Sequence, residues 1–367
     1  MRNFHFILVA VLTLFMACTK KEKISNHKSI IQISAGGDYT LVLRDDNSLW
    51  GCGGNSFGQL GDGTDTDRNT LIKIADGVKA MSAGEFHTLV LKTDNSLWTC
   101  GNNIAGQLGD GTDTDRNTLI KIADGVKAVS AGFLHSLVLK TDNSLWACGN
   151  NSSGQLGGGS YTAYKNTLIK VADNVKDMSA GGAHTLLLKT DNSLWACGHN
   201  SHGQLGDGTI ANRNTLIKIA DGVKAVSTGL LHSLVLKTDN SLWTCGDNYS
   251  GQLGDGTNTD RNSLIKITDD VKAMCAGSYH TLVLKTDNSL WGCGLNLLGM
   301  LGDDTNTNRN TLIKIADGVK DMSAGGAHTL VLKTDNSLWG CGSNSIGQLG
   351  DGANPGSYFL VRILFPK

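Results

Sequence analysis

The chain has 367 residues, 40% apolar and 18% charged, with 47 glycines, two prolines and a formal net charge of −1. That charge gives no electrostatic reason to expect nucleic acid or an anionic membrane as a partner. The length alone suggests two domains, but a strict internal repeat overrides that expectation and points to one compact array.

The chain opens on a processing signal that is set apart from the fold. Arg2 supplies a positive region, and residues 4–17 are apolar but short for a bilayer span. The segment ends in Leu-Phe-Met-Ala-Cys, and Ala17-Cys18 resembles a bacterial lipoprotein cleavage site. We expect residues 1–17 to be a signal peptide, Cys18 the lipidated residue, and 18–29 a polar tether. Two acyl chains on one cysteine anchor far more firmly than one. The membrane would then be met through the lipid alone, at the bacterial cell envelope (outer membrane or cell surface).

From residue 30 onward the repeat takes over. The seven tryptophans are Trp50, Trp98, Trp146, Trp195, Trp243, Trp291 and Trp339, spaced by 48 residues except for 49 between Trp146 and Trp195. A cysteine follows two residues after each. The units run 30–77, 78–125, 126–174, 175–222, 223–270, 271–318 and 319–367.

The second unit serves for all. Val78 to Ser82 reads as a strand, His87 to Lys92 as a second, Ser96 to Cys100 as a third and Thr118 to Ala123 as a fourth. Thr93-Asp94-Asn95 is a tight hairpin of residues that bond their own backbone and tolerate left-handed conformations. Successive apolar residues in Leu89-Val90-Leu91 mean that both sheet faces are covered. Four short strands per repeat, packed face to face around an axis, define an all-β, seven-bladed β-propeller of four-stranded blades. A lysine in each fourth strand, such as Lys73 or Lys121 (Arg362 in the last unit), marks that strand as an exposed edge. We expect the N-terminal strand at 30–34 to pair with the C-terminal strand at 359–363 and so close the ring. The sequence leaves open the alternative that each unit is one whole blade.

The unit G-x-x-H-[TS]-L-x-L-K-T-D-N-S-L-W-x-C-G-x-N-x-x-G-Q-L-G-D-G-T resembles the repeat of the regulator of chromosome condensation family, across all seven units. Tyr39 replaces the histidine in the first unit, Met300 the glutamine and Asp304 the following glycine in the sixth. The resemblance implies the propeller fold more than an activity. The founding member is a guanine-nucleotide exchange factor with an inserted wedge, for which no unit here has room. A secreted β-lactamase inhibitor similar to the family, which binds a protein with its loops, is the nearer analogy.

Motifs that suggest chemistry read better as scaffold. An odd set of symmetry-related thiols cannot all pair as disulfides, so the cysteines are expected to pack between blades. Cys275, in place of a serine, is expected in the core. Six repeated histidines (His87, His135, His184, His232, His280 and His328) do not form one triad; we expect them to bond to backbone. His199 and His202 occur only in unit four; they could bind metal, but exposure on a loop is the expectation. The Asp62-Gly-Thr-Asp65-Thr-Asp67 run lacks a calcium loop's ligand set, so turn duty, with Arg68 as a partner charge, is expected. No cofactor, metal site or catalytic residue is predicted.

Positions that differ between repeats are the candidates for specificity. They fall in the G-x-x-H loop and the G-x-N-x-x-G loop. Phe57, Phe86, Ile104, Phe133, Leu134, Leu230, Leu231, Tyr249, Tyr279, Leu297 and Leu298 would form an apolar rim if they share one face. The leading expectation is a monomeric, lipid-anchored, non-catalytic scaffold that binds an unknown protein or a surface glycan. A propeller enzyme (lyase or hydrolase) with a site near the axis, or a purely structural repeat protein, are the alternatives.

Overall fold

A computed structural model describes residues 28–366. Cys18 and the predicted signal and tether up to residue 27 lie outside the described residues. Seven four-stranded antiparallel sheets form a ring, and every described element is a strand. In the second blade the strands are Val78–Ala83, His87–Lys92, Leu97–Gly101 and Arg116–Ala123, in that order from the axis outward.

The apolar pattern explains the placement of each strand. The second strand is buried from His87 through Leu91, because it lies between neighbouring sheets on both faces. The fourth alternates between half-buried and exposed, as an edge does. Its lysines pair with the aspartate three residues on, for example Lys73 with Asp76 at 2.8 Å, which leaves a charged edge that discourages further strand addition. In the hairpin between the second and third strands Asn95 takes φ of 65°, and the Asp94 carboxylate accepts the N–H and Oγ–H of Ser96. The Ser96 hydroxyl in turn accepts the Trp98 indole N–H at 2.9 Å, which fixes the tryptophan against the preceding blade.

One expectation is corrected. The strands at 30–35 and 357–363 do not pair; they are the inner strand of the first blade and the outer strand of the seventh. Each repeat is a whole blade, its four strands hydrogen-bonded side by side in sequence order. The ends still meet, by packing rather than by hydrogen bonds. Ile30, Ile33 and Ile363 share one buried cluster with Leu330 and Leu332. Beyond it, Phe365 lies edge-on to Trp50 at 5.6 Å, and the Arg44 guanidinium sits 3.6 Å from the Phe365 centroid.

Ring closure is carried by three circles of hydrogen bonds that pass through all seven seams. Around the axis, the residue after the glycine of each G-x-x-H donates its N–H to a carbonyl of the next blade, from Gly37 to Gly84 (3.2 Å) through to Gly326 to Gly36 (3.0 Å). Further out, Ser34 accepts the Ala83 N–H at 3.0 Å, and the series ends with Ser323 accepting that of Ala35 at 2.9 Å. At the rim, the Gly63 N–H reaches the Asn117 carbonyl at 2.8 Å, and Gly352 reaches Asn69 at 2.9 Å. The closing seam thus carries the same bonds as the others.

A loop face built from the variable positions

Antiparallel alternation decides which loops share a side. Each blade's first-to-second and third-to-fourth connections leave the same face, while the hairpin and the inter-blade turn leave the opposite one. The two variable loops are therefore neighbours, and they touch: the Asn102 N–H donates to the Phe86 carbonyl at 2.9 Å.

The longer loop is held by the asparagine of G-x-N. Asn103 is fully buried; its amide donates to Asp110 Oδ1 and to the carbonyls of Thr112 and Thr114, and its Oδ1 accepts the Leu108 N–H. Asp110 closes a turn on Thr112 and pairs with Arg116 at 2.8 Å. Thr112 and Arg116 between them hold that carboxyl below the usual range, despite partial burial. The aspartate runs are thus turn-forming groups with an arginine partner, and Asp62 pairs with Arg68 in the same way.

The histidines stitch seams, and their partner differs from the expectation. Instead of backbone, each Nε2 meets a hydroxyl on the following blade: His87 to Ser136 at 2.8 Å, His135 to Thr185 at 3.1 Å, and finally His328 to Thr40 at 3.1 Å. That hydroxyl donates to a backbone carbonyl, of Gln107 for Ser136 at 2.7 Å and of Met300 for Thr329, so it accepts from the histidine and the proton resides on Nε2. Burial drives the imidazole pKa down, to about 3 for His87 and about 4 for His135, so the rings are neutral. Tyr39 fills the same place, its hydroxyl 2.9 Å from Thr88 Oγ1 and 2.6 Å from the His87 carbonyl. The glycine before each histidine is required by close approach: a Cβ on Gly84 would stand 2.6 Å from the Gly132 carbonyl and 2.9 Å from His87 Nδ1.

The seven repeat cysteines are buried free thiols at the seams. Cys100 Sγ lies 3.5 Å from the Gln59 carbonyl of the blade before, and burial pushes the Cys148 thiol up to about 12. Cys275 is half-buried and takes over the serine's role, its sulfur accepting the Ala324 N–H at 3.3 Å.

The predicted rim residues all lie on the loop face, at two depths. Phe57, Ile104, Tyr249, Tyr279, Leu297 and Leu298 are exposed, Tyr249 by 84%. Phe86, Phe133, Leu134, Leu230 and Leu231 are half-buried. Three of them join into a continuous edge-to-face array across three blades, Phe57 to Phe86 at 5.4 Å and Phe86 to Phe133 at 5.4 Å. Phe133 and Leu230 also reach the axial mouth, a cavity of about 120 Å³ walled by glycines and alanines, where Glu85 is the ionisable side chain. Burial, with the nearby Asp38 charge, raises the Glu85 carboxyl to about 7. Asp38 and Glu85 are the acidic members of the variable G-x-x-H loops of the first two repeats, and their proximity across the seam emerges only once the blades are side by side.

A seven-bladed ring of four-stranded blades, its variable loops on one face, is the class that this geometry defines. The family comparison gives the same answer. The profile of the RCC1-like domain matches residues 115–358, and those of the Regulator of chromosome condensation (RCC1) repeat match 30–59, 78–107 and 46–91. The chain belongs to the RCC1-like repeat family. Human WBSCR16 is similar in fold at 22% identity, covering 84% of this chain and 87% of its own, with a TM-score of 0.76. Yeast RCC1 (Prp20), solved bound to Kap60, superposes at 19% identity over 99% of this chain and 91% of its own, with a TM-score of 0.77. Prp20p from Saccharomyces cerevisiae, described with its binding to Gsp1p and histones, gives 20% identity, 81% and 80% coverage, and 0.71. No curated protein matches the sequence significantly.

Proposed function

We propose that this protein is an exported, lipid-anchored scaffold of the bacterial envelope that binds another protein through its loop face. The observation that carries the reading is the Phe57–Phe86–Phe133 array, three aromatic rings in contact across three blades and partly open to solvent. Aromatic side chains clustered on a surface are the usual anchors of protein recognition, because each buries a large area at small entropic cost. Residues constant in every repeat hold the seams, the hairpins and the long loops, so specificity falls to the positions that vary. The similar Prp20p, whose binding to Gsp1p and histones has been described, supports protein binding as a use of such a ring. Cys18 would tie the ring to the membrane through residues 18–29.

A catalytic reading has less support. At the axial mouth the polar side chains are Glu85, Thr228 and Ser278, and the histidines that might act as bases are spent on the seam hydroxyls. Guanine-nucleotide exchange fits poorly as well, since no repeat carries a wedge-sized insertion.

The test is affinity capture from envelope extract with the anchored protein. Variants combine Phe57→Ala, Phe133→Ala and Tyr279→Ala on the loop face, or Thr93→Ala and Thr190→Ala on the opposite one. A partner lost with the first set and kept with the second supports the reading. A partner retained by the loop-face triple variant contradicts it. Replacing Cys18 by Ser should release the protein from the membrane fraction; continued membrane association would contradict the anchor.

A further inference from the structure

We propose that the loops of the fourth and fifth blades form a binding site for one first-row divalent cation, of the zinc type, with His202, Asp247 and Asp260 as its ligands. His202 Nδ1 lies 2.8 Å from Asp260 Oδ2 and 3.9 Å from Asp247 Oδ1, and one ligand atom from each residue falls within 4.8 Å of the others. A zinc ion held at about 2.0–2.2 Å from each donor needs donors about 3–4 Å apart; the His202–Asp247 separation suits it, while the His202–Asp260 hydrogen bond must open slightly for the ion to replace its proton. One imidazole with two carboxylates is a donor set for zinc or manganese, with water completing the shell.

The surroundings fix the ligands from behind. Asp247 is 7% exposed, and its Oδ2 accepts the Gln252 amide at 2.6 Å. Asp260 Oδ1 accepts the Asn248 N–H at 2.9 Å, which leaves Oδ2 facing His202. Such outer contacts orient metal ligands and restrict their rotation.

The repeat supplies an internal control. The position of His202 holds Ser153 and Ser250 in the adjoining repeats, and the position of Asp247 holds Asn102 in the second and Leu295 in the sixth. Among the described residues, the fourth-to-fifth seam is the one that combines an imidazole with two carboxylates. Since all other seams fold without that set, the blade does not require it. The cation would join two neighbouring loops on the recognition face, next to the exposed Tyr249.

The same comparison provides variants that should fold. Asn102 Oδ1 accepts the Gln107 amide at 2.7 Å, the contact that Asp247 makes with Gln252, so Asp247→Asn keeps the loop intact. His202→Ser installs the residue of the neighbouring repeats. Chelator-treated protein, purified in reductant, is titrated with zinc by calorimetry and with cobalt by visible absorption. The wild type should bind one equivalent, with a cobalt spectrum free of thiolate charge transfer and a raised melting temperature. Asp247→Asn and His202→Ser should each weaken binding at least tenfold, while His199→Ala leaves it unchanged. Absence of binding by the wild type would overturn the proposal, and so would equal binding by the two variants. Binding with a thiolate signature would place the ion on cysteine and overturn it as well.

Discussion

His328 Nε2 meets Thr40 Oγ1 at 3.1 Å, joining the last blade to the first across 288 residues of sequence. The Thr40 hydroxyl donates to the Gln348 carbonyl at 2.7 Å, so the closing seam repeats the arrangement found within the ring. Replacing Thr40 by Val keeps the shape and leaves a buried imidazole N–H unpaired, at a cost of about 1–3 kcal/mol. Thr185→Val does the same at an interior seam. Denaturant unfolding should show equal losses for the two; a negligible loss for Thr40→Val would mean that the ring is open.

The tail past the last strand tightens the same seam. Phe365 packs on Trp50 and under the Arg44 guanidinium. Phe365→Ala should cost about 2–4 kcal/mol from lost burial and cation–π contact, near the low end because the residue is only partly enclosed. Limited proteolysis checks it: cleavage should begin in the first or seventh blade of the variant, and unchanged protection would contradict the contact's role.

Acid should unfold the protein through its histidines. Burial lowers each of the six, with His184, His232 and His328 falling to about 3 and His280 to about 4, against an ordinary value of 6.5. A base whose folded pKa is depressed binds its proton more readily when unfolded. Stability is therefore complete above pH 6.5 and is lost as pH falls toward 4. Each such group contributes a slope of about 1.4 kcal/mol per pH unit inside that window. Glu85, raised to about 7, opposes this weakly, since a carboxyl easier to protonate in the fold stabilises at low pH. Unfolding measured at pH 5 should take up several protons; a flat stability from pH 7 to 4 would contradict the burial of neutral imidazoles.

The repeat thiols should be silent until the ring opens. Cys197, Cys245 and Cys293 are pushed up to about 12 by burial, so almost no thiolate exists at neutral pH. A thiol reagent should leave all seven unmodified in native protein and react with each in denaturant. Rapid native labelling of any repeat cysteine would contradict its placement between blades.

The asparagine inside each long loop should matter more than an exposed aspartate of such a loop. Asn200→Ala removes bonds to Asp207 and to the Thr209 and Ala211 carbonyls at once, and strands the Leu205 N–H. About 2–4 kcal/mol is expected, against under about 1 kcal/mol for the exposed Asp65→Ala. Thermal unfolding of the two variants checks the order.

Much of this was legible in the sequence, and the gaps have physical causes. Trp-x-Cys spacing gave the number of blades, and Thr-Asp-Asn gave the hairpins, because these are local. The blade phase was not local: 30–34 pairing with 359–363 and pairing with 39–44 satisfy the same apolar pattern. The histidine's hydroxyl partner sits a whole repeat away, next to the following histidine, so spacing alone could not reveal it. Phe57, Phe86 and Phe133 were visible as variable apolar residues, but their contact required knowing that both loops leave one face. His202, Asp247 and Asp260 belong to two repeats and converge only once the ring is built.

On the proposed function, recognition belongs to the loop face while the rest of the ring is scaffold. A photo-crosslinking amino acid placed at Phe57 or Tyr279 in the anchored protein, and at Thr93 or Thr190 on the opposite face, tests it in intact cells. A discrete crosslinked protein from the loop-face positions and none from the opposite face is the predicted result. Crosslinks confined to Thr93 and Thr190, or the same product from both faces, would contradict it.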